Sequence, residues 1–135
     1  MMNYFSIRPY RAQKSFTLVE LLIVIGIIAL LATIAIPNFL RIRIDVNDAY
    51  AQATLKTIAA ALENYAANNA AYPTNPGDLL GVTPPYLNED YFAGAHAGFT
   101  FAPALASDTY TVVATPVSTY SGSRSFTITT GAVLQ

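Results

Sequence analysis

Residues 14–39 read KSFTLVELLIVIGIIALLATIAIPNF, and the rest of the chain is organised around them. From Leu21 to Ile36 only Gly26 and Thr33 interrupt a run of strongly apolar side chains. Phe16 to Ile36 supplies roughly the 20 residues a helix needs to cross a hydrocarbon core. Glu20 is the exception. An ionised acid at the centre of a membrane helix costs about 2.5–3.5 kcal/mol, and an acid in such a segment marks a functional site by default. A secretory signal has a shorter apolar region and ends at a small-residue cleavage site. Here the candidate site Ala32-Thr33-Ile34 ends in a large side chain. A plain uncleaved anchor accounts for the length of the run and leaves Glu20 without a purpose.

The charges around this segment are segregated. Before it stand Arg8, Arg11 and Lys14 with no acid; after it Arg41, Arg43, Lys56 and Arg124 are outnumbered by Asp45, Asp48, Glu63, Asp78, Glu89, Asp90 and Asp108. A basic leader directly before an apolar run is a membrane-targeting arrangement whose positive side stays cytoplasmic. The body lacks the basic patch that nucleic acid requires, so no nucleic-acid partner is expected. At 135 residues the chain has the size of one domain, or of one domain with an appendage. It has no cysteine, so no disulfide can staple it. A small domain without staples has to find burial another way, and oligomerisation is the direct one.

Beyond Pro37 the pattern turns amphipathic. Ile44, Ala51, Leu55, Ile58, Leu62 and Tyr65 fall on one helical stripe, while Asp45, Asp48, Gln52, Lys56, Glu63 and Asn64 fall off it. The alanines at 49, 51, 53, 59, 60, 61, 66 and 67 favour helix and permit close approach of another backbone. Asn68-Asn69 and then Tyr72-Pro73 mark the stop. This predicts a helix from about residue 16 to about residue 68, interrupted at Pro37, where the ring removes an intrahelical hydrogen bond. Gly26 weakens the same helix by about 1 kcal/mol relative to Ala. Residues 71–96 are punctuated by Pro and Gly and read as a loop with a short helical turn near Asp78–Leu80. Three strand-like runs follow, with Phe99 and Phe101, then Tyr110, Val112 and Ala114, then Phe126 and Ile128 alternating with polar neighbours. Residues 118–125 read as the turn before the third run, and Ala132–Leu134 as a short last strand. The predicted class is α+β: one long kinked N-terminal helix packed on a small antiparallel sheet.

Nothing in the chain points to catalysis. His96, the single histidine, lies in a Gly/Ala-rich stretch without neighbours at metal-ligand spacing and reads as a solvated loop residue. There is no nucleophile motif of the G-x-S-x-G kind. Asp78, Glu89, Asp90 and Asp108 read as a solvated acidic loop, with a Ca²⁺ cluster as the alternative because calcium takes oxygen ligands. Phe16, Phe39, Tyr50, Tyr65 and Tyr72 along the helix read as core and interface packing. No catalytic residue, cofactor or metal ligand is expected.

The stretch Ser15-Phe16-Thr17-Leu18-Val19-Glu20, followed by an unbroken apolar helix and Pro37, resembles the N-terminus of type IV pilins and of the pseudopilins of type II secretion. The match covers about 24 residues, Lys14 to Pro37, and departs at Ser15, where the family usually has Gly. The resemblance implies a division into a cleaved basic leader (1–15), an apolar transmembrane and assembly helix (16–37), an amphipathic helix of the globular part (38–70), and a loop with an antiparallel sheet (71–135). It implies cleavage by a prepilin peptidase between Ser15 and Phe16, followed by N-methylation of Phe16. Glu20 becomes the partner of a neighbouring subunit's N-terminal amine, and Gly26 and Pro37 the places where the helix can loosen on assembly. The implied partners are other copies of the chain, the peptidase, an inner-membrane assembly platform with its ATPase, and the lipid bilayer before assembly. The implied location is the inner membrane, N-terminus cytoplasmic, and then an extracellular or periplasmic filament. The expected function is that of a pilus subunit. The alternatives are a secretion pseudopilin and, more remotely, an uncleaved membrane-anchored periplasmic binding module. The D-P-W-G-like motif near which major pseudopilins often bind calcium has no counterpart here, and the chain has no Trp.

Overall fold

The computed structural model describes residues 15–135, so Arg8, Arg11 and Lys14 of the predicted leader lie outside the described residues. The chain forms two compact units, one ending at Ile36 and one spanning Pro37–Gln135. A single helix, α1 (Leu18–Asn69), contributes to both and contains Pro37.

In the first unit no described residue of α1 is buried. Its large apolar residues from Phe16, 73% exposed, to Ile36, 59% exposed, all face outward. This part of the helix is long and apolar enough to cross a membrane, and none of that window is buried inside the protein.

The second unit, called the head below, has a conventional core. Ala51, Thr54, Leu55, Ile58, Ala59, Ala61 and Leu62 are the buried face of α1, with Ile44 and Tyr65 half-buried at its ends. Against this face lies a five-stranded antiparallel meander with spatial order equal to chain order: β1 (Ala95–His96), β2 (Phe99–Leu105), β3 (Tyr110–Pro116), β4 (Phe126–Thr129) and β5 (Val133–Leu134). Period-2 alternation puts Phe99 and Phe101, Tyr110, Val112 and Ala114, and Phe126 and Ile128 on the inner face. The register follows, with Phe101 opposite Ala114 and Ala114 opposite Phe126. Small Ala51, Ala59 and Ala61 alternate with Leu55, Ile58 and Leu62, which lets the sheet approach the helix while large side chains fill the space between.

Residues 71–96 contain the expected short helical turn, and depart from the expected loop in their buried leucines and in the place of His96. A 3₁₀ turn, η1 (Pro76–Leu79), is capped by Asn75, whose Oδ1 accepts from Gly77 N at 2.9 Å, and Leu79 is fully buried. The Leu79 carbonyl accepts from the amides of Tyr86 and Leu87, and Leu87 joins the core. His96, expected in a solvated loop, lies instead in β1 with its side chain 18% exposed. Its Nδ1 is 3.4 Å from Glu89 Oε1, and its ring sits against Tyr91 and Phe101. The cause is a tight hairpin: His96 pairs with Phe99 across a two-residue turn, Ala97-Gly98, in which both residues have positive φ. Two successive positive φ values match the twist of a hairpin. Gly98 also has to be glycine for space, since a Cβ there would stand 2.7 Å from Ser121 Cβ.

Candidate functional site

The sequence singled out Ser15, Phe16, Glu20, Gly26 and Pro37, all on or just before the unburied part of α1. Ser15, Phe16 and Thr17 are non-helical and exposed. Thr17 is the N-cap: its Oγ1 accepts from the Glu20 amide at 3.2 Å and its carbonyl from the Leu21 amide at 3.3 Å. Thr17 and Glu20 thus hold the N-cap and N3 positions of the T-x-x-E pattern. The T-x-x-E spacing signals this role for Thr17, which hydrophobic patterning alone does not reveal. Glu20 occupies the first turn of α1, where a negative charge suits the helix dipole. Its carboxylate is exposed and has no hydrogen bond or ion pair with any described residue.

Gly26 has no neighbour within 4 Å of where a Cβ would stand, so nothing in the chain itself excludes a side chain there. Pro37 lies inside α1 and brings no N–H to the carbonyl four residues back, that of Thr33. The Thr33 hydroxyl bonds the Leu30 carbonyl at 2.6 Å, a back-bond of the type that slightly loosens helices. Two neighbouring features therefore weaken the helix near residues 33–37.

In the head, two acids expected on the solvated face do structural work. Asp48 accepts from the Ser123 amide at 3.0 Å and from the Ser123 hydroxyl, while Asn47 Nδ2 donates to the Ser121 carbonyl at 2.8 Å. These bonds tie the β3–β4 loop to α1. Between them sits Gly122, where a Cβ would lie 2.2 Å from the Phe99 ring and 2.9 Å from Asp48 Oδ1.

Glu63 does the same at the other end of the head. Its Oε2 accepts from the Tyr72 hydroxyl at 3.0 Å, and its Oε1 from the Tyr110 hydroxyl at 3.0 Å and the Gly131 amide at 2.9 Å. The Tyr110 oxygen in turn accepts from Ala132 N at 3.1 Å. Burial, reinforced by the Glu63 carboxylate, pushes the Tyr110 hydroxyl up to about 12, although the bond from Ala132 pulls the other way. Burial and Glu63 also raise Tyr72. By helical angle Asp48 lies on the core stripe, seven residues before Leu55, and Glu63 lies just past its edge, four residues after Ala59, so both reach the sheet.

Among the described residues no three acids or histidines gather as a metal site, so Asp78, Glu89, Asp90 and Asp108 do not form the calcium cluster considered above. What the described residues present is a head with a buried core and, in the first unit, an apolar helix with no large side chain buried.

Residues 10–36 match the model of the prokaryotic N-terminal methylation motif. Over 72 residues the chain is 43% identical to the type IV wide pilus major component PilA4 of Thermus thermophilus, covering 53% of this chain and 55% of that protein. It is 36% identical over 69 residues to the type II secretion system core protein G of Pseudomonas aeruginosa, covering 51% and 49%. It is 32% identical over 68 residues to the competence protein ComGC of Halalkalibacterium halodurans, covering 50% and 67%. The chain thus spans about half the length of the first two relatives and two thirds of the third.

Proposed function

Since the chain belongs to the family of type IV pilins and type II secretion pseudopilins, we propose that it is a structural subunit of a type IV pilus-like filament. One observation carries this reading: the apolar part of α1, headed by Phe16 and by Glu20 without a side-chain partner among the described residues, has no large apolar side chain buried by the described residues. Lipid covers it in the precursor, and the same helices of other copies cover it in the filament. The precursor sits in the inner membrane with its N-terminus cytoplasmic, held that way by Arg8, Arg11 and Lys14. A prepilin peptidase cuts between Ser15 and Phe16, and an assembly platform driven by an ATPase lifts the mature subunit into the polymer. No catalytic role is assigned to the chain.

The similarity to the secretion system core protein favours a second reading, a pseudopilin of a type II secretion system. Higher identity to the pilus component supports the pilus first.

The test is the mass of the subunit in sheared, purified filaments. The expected chain begins at Phe16 and carries one added methyl group. A filament subunit that begins at Met1 or Met2 overturns the processing step, and recovery of the protein only as a membrane-bound monomer overturns the filament.

A further inference from the structure

Where α1 stops, the head holds a cleft of about 260 Å³. Tyr65 and Asn69 line it from α1, and Asp78, Val82 and Tyr86 line it from η1 and the segment that follows. Backbone bonds hold this lining in place. Asn75 caps η1, the Gly77 carbonyl accepts from the Leu80 and Gly81 amides at 3.2 and 2.9 Å, and the Leu79 carbonyl accepts from the Tyr86 amide at 2.9 Å. A cleft ordered before a ligand arrives lowers the cost of binding.

Tyr65 and Tyr86 meet edge to face, with centroids 5.4 Å apart and planes at 63°, so the two rings form a corner rather than a closed stack. The Tyr86 hydroxyl accepts from Asn68 Nδ2 at 3.1 Å and keeps its own O–H to give. Asn69 Nδ2 gives one N–H to the Tyr65 carbonyl at 3.0 Å, which leaves a second N–H and the side-chain oxygen. The Asp78 carboxylate is exposed and holds no hydrogen bond or ion pair with a described residue. The cleft therefore mixes aromatic carbon with free donors and free acceptors. A cation leaves the donors idle, and an anion meets the Asp78 charge. A sugar hydroxyl both gives and accepts, and a pyranose ring offers aromatic rings a face of C–H groups.

We propose that this cleft binds one ring of a neutral saccharide. Its C–H face lies against the tyrosine corner, hydroxyls give to the Asp78 carboxylate, and a further hydroxyl exchanges hydrogen bonds with the Asn69 amide. The volume is below the roughly 300–1,000 Å³ of pockets that enclose a drug-sized ligand, so the cleft takes a single ring and not a length of chain. A ligand that small in an open cleft binds in the millimolar range. The site lies wholly within the head and goes beyond the filament reading. In the filament proposed above the cleft recurs at every subunit, so weak single contacts combine.

The test is saturation-transfer NMR on the full chain in phosphocholine micelles, with the methyl glycosides of galactose, glucose and mannose as probes. At least one should receive saturation, strongest on the C–H protons of one ring face. Glycerol, which has hydroxyls but no ring to lay on tyrosine, should receive none, and galacturonate should receive less than methyl galactoside because it meets Asp78. Asp78→Ala and Asn69→Ala should each weaken binding roughly tenfold, the scale of one lost hydrogen bond to a charged or well-placed group. Asp78→Asn should lose less, since it keeps an acceptor oxygen. Both side chains are exposed, so the head should fold in every variant, which an unchanged circular dichroism spectrum reports. No transfer to any of the three glycosides, equal transfer to glycerol, or transfer unaltered by Asp78→Ala and Asn69→Ala overturns the site. A chain that forms filaments and binds no glycoside leaves the filament reading standing; one that binds and forms none leaves the site standing and removes that reading.

Discussion

At Glu63 one carboxylate receives hydrogen bonds from two tyrosine hydroxyls and a backbone amide, and these partners come from three separate places in the chain. Replacement by Ala strands all three donors in a half-buried site. Glu63→Ala should therefore destabilise the head by about 2–4 kcal/mol, against about 1–2 kcal/mol for Tyr110→Phe. Because the two residues share a bond, the double variant should cost less than the sum, and denaturant melts of all three variants measure the difference. The same site sets an alkaline limit. Tyr110 titrates at about 12 in the folded chain and near 10 when unfolded, so its contribution is complete below about pH 10. Between about 10 and 12 the unfolded chain has lost the proton that the folded chain still holds, and stability falls as pH rises. Unfolding midpoints should drop across that window and drop less in Tyr110→Phe. At Gly122 the limit is steric. A methyl group there meets the buried Phe99 ring, which has no room to retreat, so Gly122→Ala should cost about 1–3 kcal/mol in the same melts.

At the scale of elements, α1 and strands β2, β3 and β4 were legible because each carries a strong period: Leu55, Ile58 and Leu62 at helical spacing, and Phe99/Phe101, Tyr110/Val112/Ala114 and Phe126/Ile128 at spacing two. β1 was not legible. It has two residues, too few for a period, and its turn uses Ala97 at φ +47° where Asn or Gly is the usual signal. Leu79 and Leu87 were hidden among Pro and Gly, since a core position in an irregular segment has no neighbours to repeat with. Glu63 was hidden because helical angle tells which side a residue leaves from, not how far it reaches; Asp48 was hidden by its charge, although its spacing to Ala51 and Leu55 puts it on the stripe. Their bonds matter for where the head can be cut free. A fragment of residues 45–135 keeps Asn47 and Asp48, every fully buried residue of α1 and every strand, and loses Ile44, half-buried at the end of that face, with the exposed part of the helix. It should be soluble, with mixed helix and sheet circular dichroism and a cooperative melt. Short chains bury a smaller share of their surface, so its margin should be modest. A fragment unfolded at low temperature would mean that the sheet needs neighbouring copies.

At the scale of the whole molecule, Glu20 poses the question that one copy leaves open, because its carboxylate has no partner among the described residues and lies at the head of an uncovered apolar helix. Within one chain the acid has a minor benefit, that of a negative charge in the first turn of a helix. The N-terminal amine of a neighbouring processed copy supplies a stronger reason. Glu20→Ala should then leave insertion intact, since removing a carboxylate from an apolar helix eases its transfer to lipid. Leader removal should persist as well, because Ser15, Phe16 and the basic flank are unchanged. Assembly should fail. An amine buried among apolar helices without a counter-charge carries a desolvation penalty of several kcal/mol, repeated at every subunit. Glu20→Gln should do only slightly better, since its amide accepts a hydrogen bond but offers no charge. Glu20→Asp keeps the charge on a shorter stem and should fall between wild type and Gln. The measurement is sheared filament against membrane-held subunit at equal expression and equal processing. Wild-type filament yield from Glu20→Ala would show that this carboxylate does not hold the polymer in register, and the helix would then be aligned by its apolar contacts and the head alone.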